Sequence, residues 1–336
     1  MITDKQHLEK DISDLLNKYA TGTLDKQQLL KDFILSTVLY NWEDPEPEEI
    51  IPLKEGLDEI RNSIAMFKKF KYNFKISIFG SARTPIDDDL YKLTVEFSQK
   101  AAQYDFKIIT GGGPGIMAAG NIGAGPENSF GLGLKLPFEN NSEVFDNHPH
   151  HLTVFKHFYS RKLTFYRESQ AIVVMPGGYG TMDEIFQGLA SIQTGKINIR
   201  PFVLLDKPGG QFWYKFNEWV EETLGKDKYI DEDDLRFYSL CYSSDDALAV
   251  IKQFYKHFFS YFILDNRLFF QLKIKLNDQQ LSELNNFAIV HNFSEFCYIR
   301  ERYFNFGTLH VYSCQINDSH YCTSIRKAID IINNFQ

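Results

Sequence analysis

Along the middle of the chain, short apolar runs rich in β-branched and aromatic residues recur, separated by stretches long enough for helices. The runs are Lys75-Ile76-Ser77-Ile78-Phe79, Phe106-Lys107-Ile108-Ile109, Phe130 to Leu136, Ala171-Ile172-Val173-Val174-Met175 and Pro201-Phe202-Val203-Leu204-Leu205. Continuous apolar runs of this length read as strands covered on both faces. Their alternation with helices predicts an α/β fold, a doubly wound parallel sheet. Ligands of such a sheet sit outside the carboxyl ends of its strands, so the loops that follow each run are where chemistry is expected.

The flanks have other textures. Residues 1–70 read as a helical N-terminal extension; in its third segment Leu53, Leu57, Ile60, Ile64 and Phe67 recur at spacings of three and four. That spacing puts an apolar stripe on one helix face, and such a stripe needs a partner. Before it, Glu43 to Glu49 carries two prolines and five carboxylates, which predicts a solvated connection. Beyond residue 256, Leu268, Phe270, Leu272, Ile274 and Leu276 alternate with mostly polar neighbours as in a half-buried strand, and a helix is expected to open near Asn277-Asp278. A hairpin follows, Phe296 to Ile299 turning through Asn305-Phe306-Gly307 into Leu309 to Tyr312, then a helix with Ile325, Ala328, Ile329 and Ile332 on one face. The expected organisation is therefore 1–70, a parallel-sheet domain over 71–255, and a small α+β module over 256–336 of order β-α-β-β-α, for assembly or effector binding.

Composition narrows the classes. The chain has 336 residues, 43% hydrophobic and 24% charged, enough to bury a sizeable core. With 36 Lys+Arg against 44 Asp+Glu its net charge is −8, which argues against wrapping a polyphosphate backbone and leaves room for a small anion in a local pocket. Nucleic acid is not an expected partner. No run approaches the ~18 apolar residues of a membrane helix, and the polar start from Met1 to Asp11 lacks the features of a secretory signal. A cytoplasmic chain off the membrane is expected.

Cys241, Cys297, Cys314 and Cys322 include no CxxC pair and are read as core thiols. His148, His150, His151 and His157 are read as a polar surface loop, and Cys314, His320 and Cys322 fall short of a zinc pattern, so no metal is expected. The aromatic run Phe212, Trp213, Tyr214, Phe216 and Trp219 is read as core or dimer contact.

Two glycine-rich loops follow predicted strands and open helices: Gly111-Gly112-Gly113-Pro114-Gly115, and Pro176-Gly177-Gly178-Tyr179-Gly180-Thr181. Glycines let backbone N–H groups approach an anion closely, and a helix N-terminus adds a favourable dipole, so both loops suit a phosphate. The first lacks a clean dinucleotide fingerprint, because Ala118 stands at the third glycine position and no acidic residue ends the next strand. Neither loop carries a Walker lysine. Glu184 lies three residues past Thr181. It is placed either to close a capping box on Thr181 or, beside an arginine, to orient water and steady an oxocarbenium ion in glycosidic cleavage.

Phe79-Gly80-Ser81-Ala82-Arg83, Thr110 through Ala118, Ser160-Arg161-Lys162 and Pro176 through Glu184 together resemble the successive motifs of the LOG ("lonely guy") phosphoribohydrolases, often labelled lysine decarboxylase. The likeness covers roughly residues 72–255 and includes Leu136-Pro137-Phe138-Glu139 and Gln193-Thr194-Gly195-Lys196. It implies a Rossmann-like sheet that hydrolyses a nucleoside 5′-monophosphate, such as AMP or a cytokinin riboside monophosphate, to free base and ribose 5-phosphate, with no cofactor. Arg161 and Glu184 match the family's catalytic pair. Gly80, Ser81, Gly112, Gly113, Lys162, Gly177, Gly178, Tyr179, Gly180 and Thr181 match its substrate-binding positions, Lys162 as a partner of the phosphate or of a structural ion pair. Homodimers with sites near the subunit interface are implied as well. The rival readings are a non-catalytic nucleotide sensor on the same loops and a single-stranded DNA-binding relative, which would want a basic, aromatic-lined face.

Overall fold

The computed structural model describes residues 5–19, 23–38, 46–135, 145–304, 306–317 and 321–336. Expectations that rest on Glu43 to Pro45, on Leu136 to Glu139, on Asn305 and on His320 lie outside those residues. The chain divides into two compact units, Met1–Glu55 and Gly56–Gln336. In the first, helices α1 (Lys5–Tyr19) and α2 (Leu24–Val38) pack on each other. Helix α3 (Pro47–Phe67) runs on into the second unit. Pro47 opens it, where its missing N–H costs nothing, and Glu49 accepts the Glu46 N–H at 3.0 Å; the end of the expected solvated connection is thus the first turn of a helix.

The second unit holds a seven-stranded, all-parallel sheet: β1 (Lys75–Phe79), β2 (Lys107–Thr110), β3 (Ser129–Leu134), β4 (Leu152–Phe155), β5 (Ala171–Val174), β6 (Phe202–Leu205) and β7 (Ser239–Cys241). Its order is β4-β3-β2-β1-β5-β6-β7, with Ile76 opposite Ala171 where β1 meets β5. The chain winds outward in both directions from that pair, so the switch point lies between β1 and β5. The helices between its strands are α4 (Asp89–Gln103), α5 (Ile116–Ala124), α6 (Phe158–Glu168), α7 (Tyr179–Gln193) and α8 (Phe212–Trp219), and α9 (Ser244–Phe254) follows the last strand and packs against β6 and β7.

Alternate residues of each strand feed opposite faces. Ile76, Ile78, Ile108, Val173 and Val203 pack with Phe97 and Ile251 on one side. Phe79, Ile109, Val174 and Leu204 meet Phe165, Ile185 and Trp213 on the other. Trp213 and Phe216 are core, as the aromatic run predicts, while Phe212, Tyr214 and Trp219 of the same run are exposed. Three of the four cysteines are buried, and burial pushes the Cys241 thiol up to about 11 and Cys314 to about 12; Cys297 is exposed.

The C-terminal part is an antiparallel sheet of order β10-β11-β9-β8, built from β8 (Phe258–Leu264), β9 (Arg267–Leu272), β10 (Cys297–Phe304) and β11 (Gly307–Gln315), with helices α10 (Asp278–Val290) and α11 (Tyr321–Asn334). Asn277 caps α10 in a capping box with Gln280. The order is β-β-α-β-β-α rather than β-α-β-β-α. Strand β8, an almost unbroken apolar run, shows no alternation by which it would be recognised. Ile325, Ala328, Ile329 and Ile332 of α11 lie in the same apolar cluster as Ile185 and Ile192 of α7. Truncation after Tyr255 is therefore expected to uncover buried apolar faces and produce aggregates in light scattering; a soluble, monodisperse core would contradict this shared packing.

The α3 stripe is placed differently from its pattern. Phe67 of the stripe is buried, but Leu53, Leu57 and Ile64 are exposed, and the other buried positions are Gly56, Glu59 and Ser63. The reason is a close polar crossing onto α6. Gly56 lies where a Cβ would fall 1.9 Å from the Tyr159 hydroxyl oxygen, and Ser63 and Thr164 hydroxyls are 3.1 Å apart. Glu59 accepts the Lys156 N–H at 2.7 Å and the Ser160 hydroxyl. Because His157 provides no side-chain cap, Glu59 serves the amino end of α6 from another helix.

Candidate active site

The carboxyl ends of β1, β2, β3 and β5 surround a crevice of about 800 Å³ at the switch point. Gly80 and Ser81 follow β1; Gly177, Gly178, Tyr179, Gly180 and Thr181 follow β5; Arg161 comes from α6 and Glu184 from α7, and all of these line it. Gly112, Gly113 and Lys162 do not. Gly112 sits behind the wall at φ +71°, its N–H donating to the Thr110 hydroxyl at 3.0 Å. Gly111, Arg83, Met117, Leu134 and Phe158 complete the lining. Of these, Gly111, Arg83 and Met117 lie inside the recurring motifs, and Phe158 stands three residues before Arg161.

The loops approach one another as closely as glycine allows. A Cβ on Gly177 would fall 2.1 Å from Thr181 Oγ1 and 2.9 Å from the Ser81 nitrogen. Gly115 holds φ +64° with Ser81 O only 2.4 Å from where its Cβ would be, and Ile116 N–H donates to that oxygen at 3.0 Å. The amino end of α5 is thereby tied to the β1 loop, and the amino end of α7 faces the crevice. Helix α7 starts at Tyr179 with Gly178 as its N-cap. The N–H groups of Tyr179 and Gly180, which precede the first bonds to Gly178 O, have no acceptor within the helix. They and the helix dipole favour an anion. Gly177→Ala is expected to lower stability by about 1–3 kcal/mol through overpacking, measured by urea unfolding.

The N-cap at Gly178 also decides the role of Glu184. Thr181 lies inside the first turn, its N–H bonded to Gly178 O at 3.0 Å, so it is not the cap. Glu184 is then in the second turn, beyond reach of the helix end, and the capping box is excluded. Its side chain is buried, 5% exposed, and opens on the crevice. Burial raises its pKa above the usual carboxylate range; Lys162 and Arg161 oppose the rise and Asp183 adds to it. Tyr166, which no motif singled out, donates its hydroxyl to Glu184 O at 2.7 Å, with Oε2 at 3.4 Å. Arg161 is aimed by its Nε–H bond to Leu132 O at 2.7 Å and by the Phe165 ring, whose centre lies 5.2 Å from its guanidinium carbon.

The shift at Glu184 has a sign in stability. The folded chain holds this proton more tightly than the unfolded one, so its contribution is present at low pH and is lost as pH rises from the ordinary carboxylate range through the raised value. Glu184→Gln ionises at no pH. Its melting temperature relative to the parent is expected to rise across that window, and a difference constant with pH would count against the burial.

Residues 115–253 match a family model described as possible lysine decarboxylase. The chain carries a LOG-type domain of that family. No curated protein matches the chain. Among solved structures, the molybdenum cofactor binding protein from Rippkaea orientalis is similar at 17% identity and TM-score 0.40, over 54% of this chain and 96% of that one. The molybdenum cofactor carrier protein from Chlamydomonas reinhardtii is similar at 19% identity and TM-score 0.38, over 54% and 97%.

That family's description raises pyridoxal-type decarboxylation, which needs a lysine amine at the site for a Schiff base. The LOG-type domain here does not fit it. Among the described residues no lysine lines the crevice, and Lys162, adjacent to Arg161, is committed to Asp183 at 2.6 Å. Among those residues no cluster of His, Cys, Asp and Glu could hold a metal, and no helix is long and apolar enough to cross a membrane.

Proposed function

We propose that the chain hydrolyses the N-glycosidic bond of a nucleoside 5′-monophosphate of the AMP type, releasing free base and ribose 5-phosphate. The observation that carries this reading is a buried, pKa-raised carboxyl, Glu184, in one crevice with Arg161 and the amino end of α7. The phosphate sits against the amides at that helix end, where backbone donors and dipole are already oriented, with Arg161 adding charge. Ribose C1′ then lies over Glu184. As the C1′–N bond breaks, its electron pair leaves with the base and positive charge develops on the ribose ring. The Glu184 carboxylate steadies that charge and takes a proton from the water that adds to C1′, and this proton passes on to the base nitrogen, which returns Glu184 to its carboxylate form. Met117, Leu134 and Phe158 supply apolar wall for a planar base. Exclusion of bulk water strengthens each of these interactions.

Exposed Leu57 and Ile64 on α3, with Tyr159 and Leu163 on α6, support a homodimer formed beside the crevice. The deciding experiment is incubation of the purified chain with a panel of nucleoside monophosphates, following base and ribose 5-phosphate by chromatography. Release of both in equal amounts is expected. Tight binding of a monophosphate without release would make the protein a nucleotide sensor instead.

A further inference from the structure

A second cavity lies at the opposite end of the parallel sheet from Glu184. It has a volume of about 580 Å³ and opens where β6 and β7 begin, between α9 and α11, so its wall is shared by the sheet domain and the C-terminal segment. That volume is in the range of small-molecule sites, roughly 300–1,000 Å³. Three arginines line it, Arg200, Arg236 and Arg326, and Asp330 is the one carboxylate among its lining residues. Asp330 is already paired with Arg326.

Arg200 is the most telling of the three. Its guanidinium donates to main-chain carbonyls only: Nε to Asn198 O at 3.1 Å, and Nη1 to Tyr166 O at 2.7 Å and to Ser169 O. No carboxylate lies within ion-pair distance of it among the described residues. A partly buried cation held by neutral oxygens alone is an uncompensated charge, and its cost falls when an anion reaches it. Arg236 pairs through Nε with Asp233 at 3.1 Å, and Asp233 is shared with Lys327. Its terminal nitrogens stay available at the mouth. Arg326 lies over the Phe254 ring, its guanidinium carbon 5.3 Å from the ring centre. The planar forks of three arginines lining one cavity match phosphate oxygens in a way that scattered lysines do not.

We propose that this seam cavity binds a diphosphate group, free or carried on a nucleoside. The fork that meets the ligand is the one that also holds Tyr166, whose hydroxyl is bonded to Glu184 O, so ligand and crevice share one short chain of contacts.

The test is isothermal titration of the full chain with inorganic pyrophosphate and, separately, with ADP. Arg161→Ala weakens anion binding in the crevice; Arg236→Ala and the double variant Arg236→Ala/Arg326→Ala weaken the seam. One pyrophosphate per chain is expected to remain with Arg161→Ala and to weaken at least tenfold with the double variant. Arg236→Ala, a change at a largely exposed side chain, is expected to weaken it in the same direction should the double variant fold poorly. Tighter ADP than pyrophosphate identifies a nucleoside-borne group, and equal affinity identifies the free diphosphate; either supports the site. Pyrophosphate binding that vanishes with Arg161→Ala and persists in both seam variants overturns the proposal, as does the absence of binding by either probe.

Discussion

Glu184→Gln is expected to fold as the parent does and to lower turnover of a nucleoside monophosphate by about 10²–10⁴. The amide keeps the size of the side chain and leaves the Tyr166 bond to the Glu184 main-chain oxygen intact, so α7 and its amino end should not move. What it removes is the negative charge facing the developing cation and the capacity to accept a proton from water. Both act at the transition state, so the loss should fall on kcat with little change in KM. Steady-state kinetics on AMP checks it. Near-normal turnover would return Glu184 to a structural role. The capping alternative has no standing here, since Gly178 rather than Thr181 caps the helix.

Adenosine should be a far poorer substrate than AMP, by roughly 10³–10⁴ in kcat/KM. Each hydrogen bond to a charged group contributes about 1.5–3 kcal/mol, and the 5′-phosphate has Arg161 and the open amides of α7 to meet it. The phosphate is remote from the reacting carbon, so its binding energy holds C1′ against Glu184. Both substrates are assayed under one condition by base release. Equal rates would detach the phosphate from the crevice and with it the assignment of the second glycine loop.

The apolar runs of β1, β2, β3, β5 and β6 were legible because strands buried on both faces are apolar over most of their length. Edge strands β4 and β7 were not, being short and only partly buried. The two glycine loops were equally legible, since backbone that must approach other backbone has to lose its Cβ, as Gly177 and Gly115 show. Thr181 and Glu184 at a spacing of three imitate a capping box, and only the hydrogen bond from Thr181 N–H to Gly178 O reveals that the helix begins earlier. Lys162 follows Arg161 directly, yet neighbours on a helix point about 100° apart, so one faces the crevice and the other Asp183.

By itself, then, the sequence determined the parallel sheet, the loops at its carboxyl ends and Glu184 beside the second of them, because these follow from local pattern: apolar continuity, missing side chains and short spacings; Arg161 was marked by the family resemblance of its motif. Tertiary structure alone decided which residues share a wall. Tyr166 meets Glu184 across 18 positions, Glu59 serves the amino end of α6 across 101, and Arg200, Arg236 and Arg326 gather where α11 closes on the sheet. Only part of the α3 stripe found a partner for the same reason: Phe67 is buried while Leu53, Leu57 and Ile64 are exposed. Periodicity tells which residues share a side of a helix, but what that side meets depends on the partner, and here a glycine, a glutamate and a serine fit against α6 more closely than leucines could.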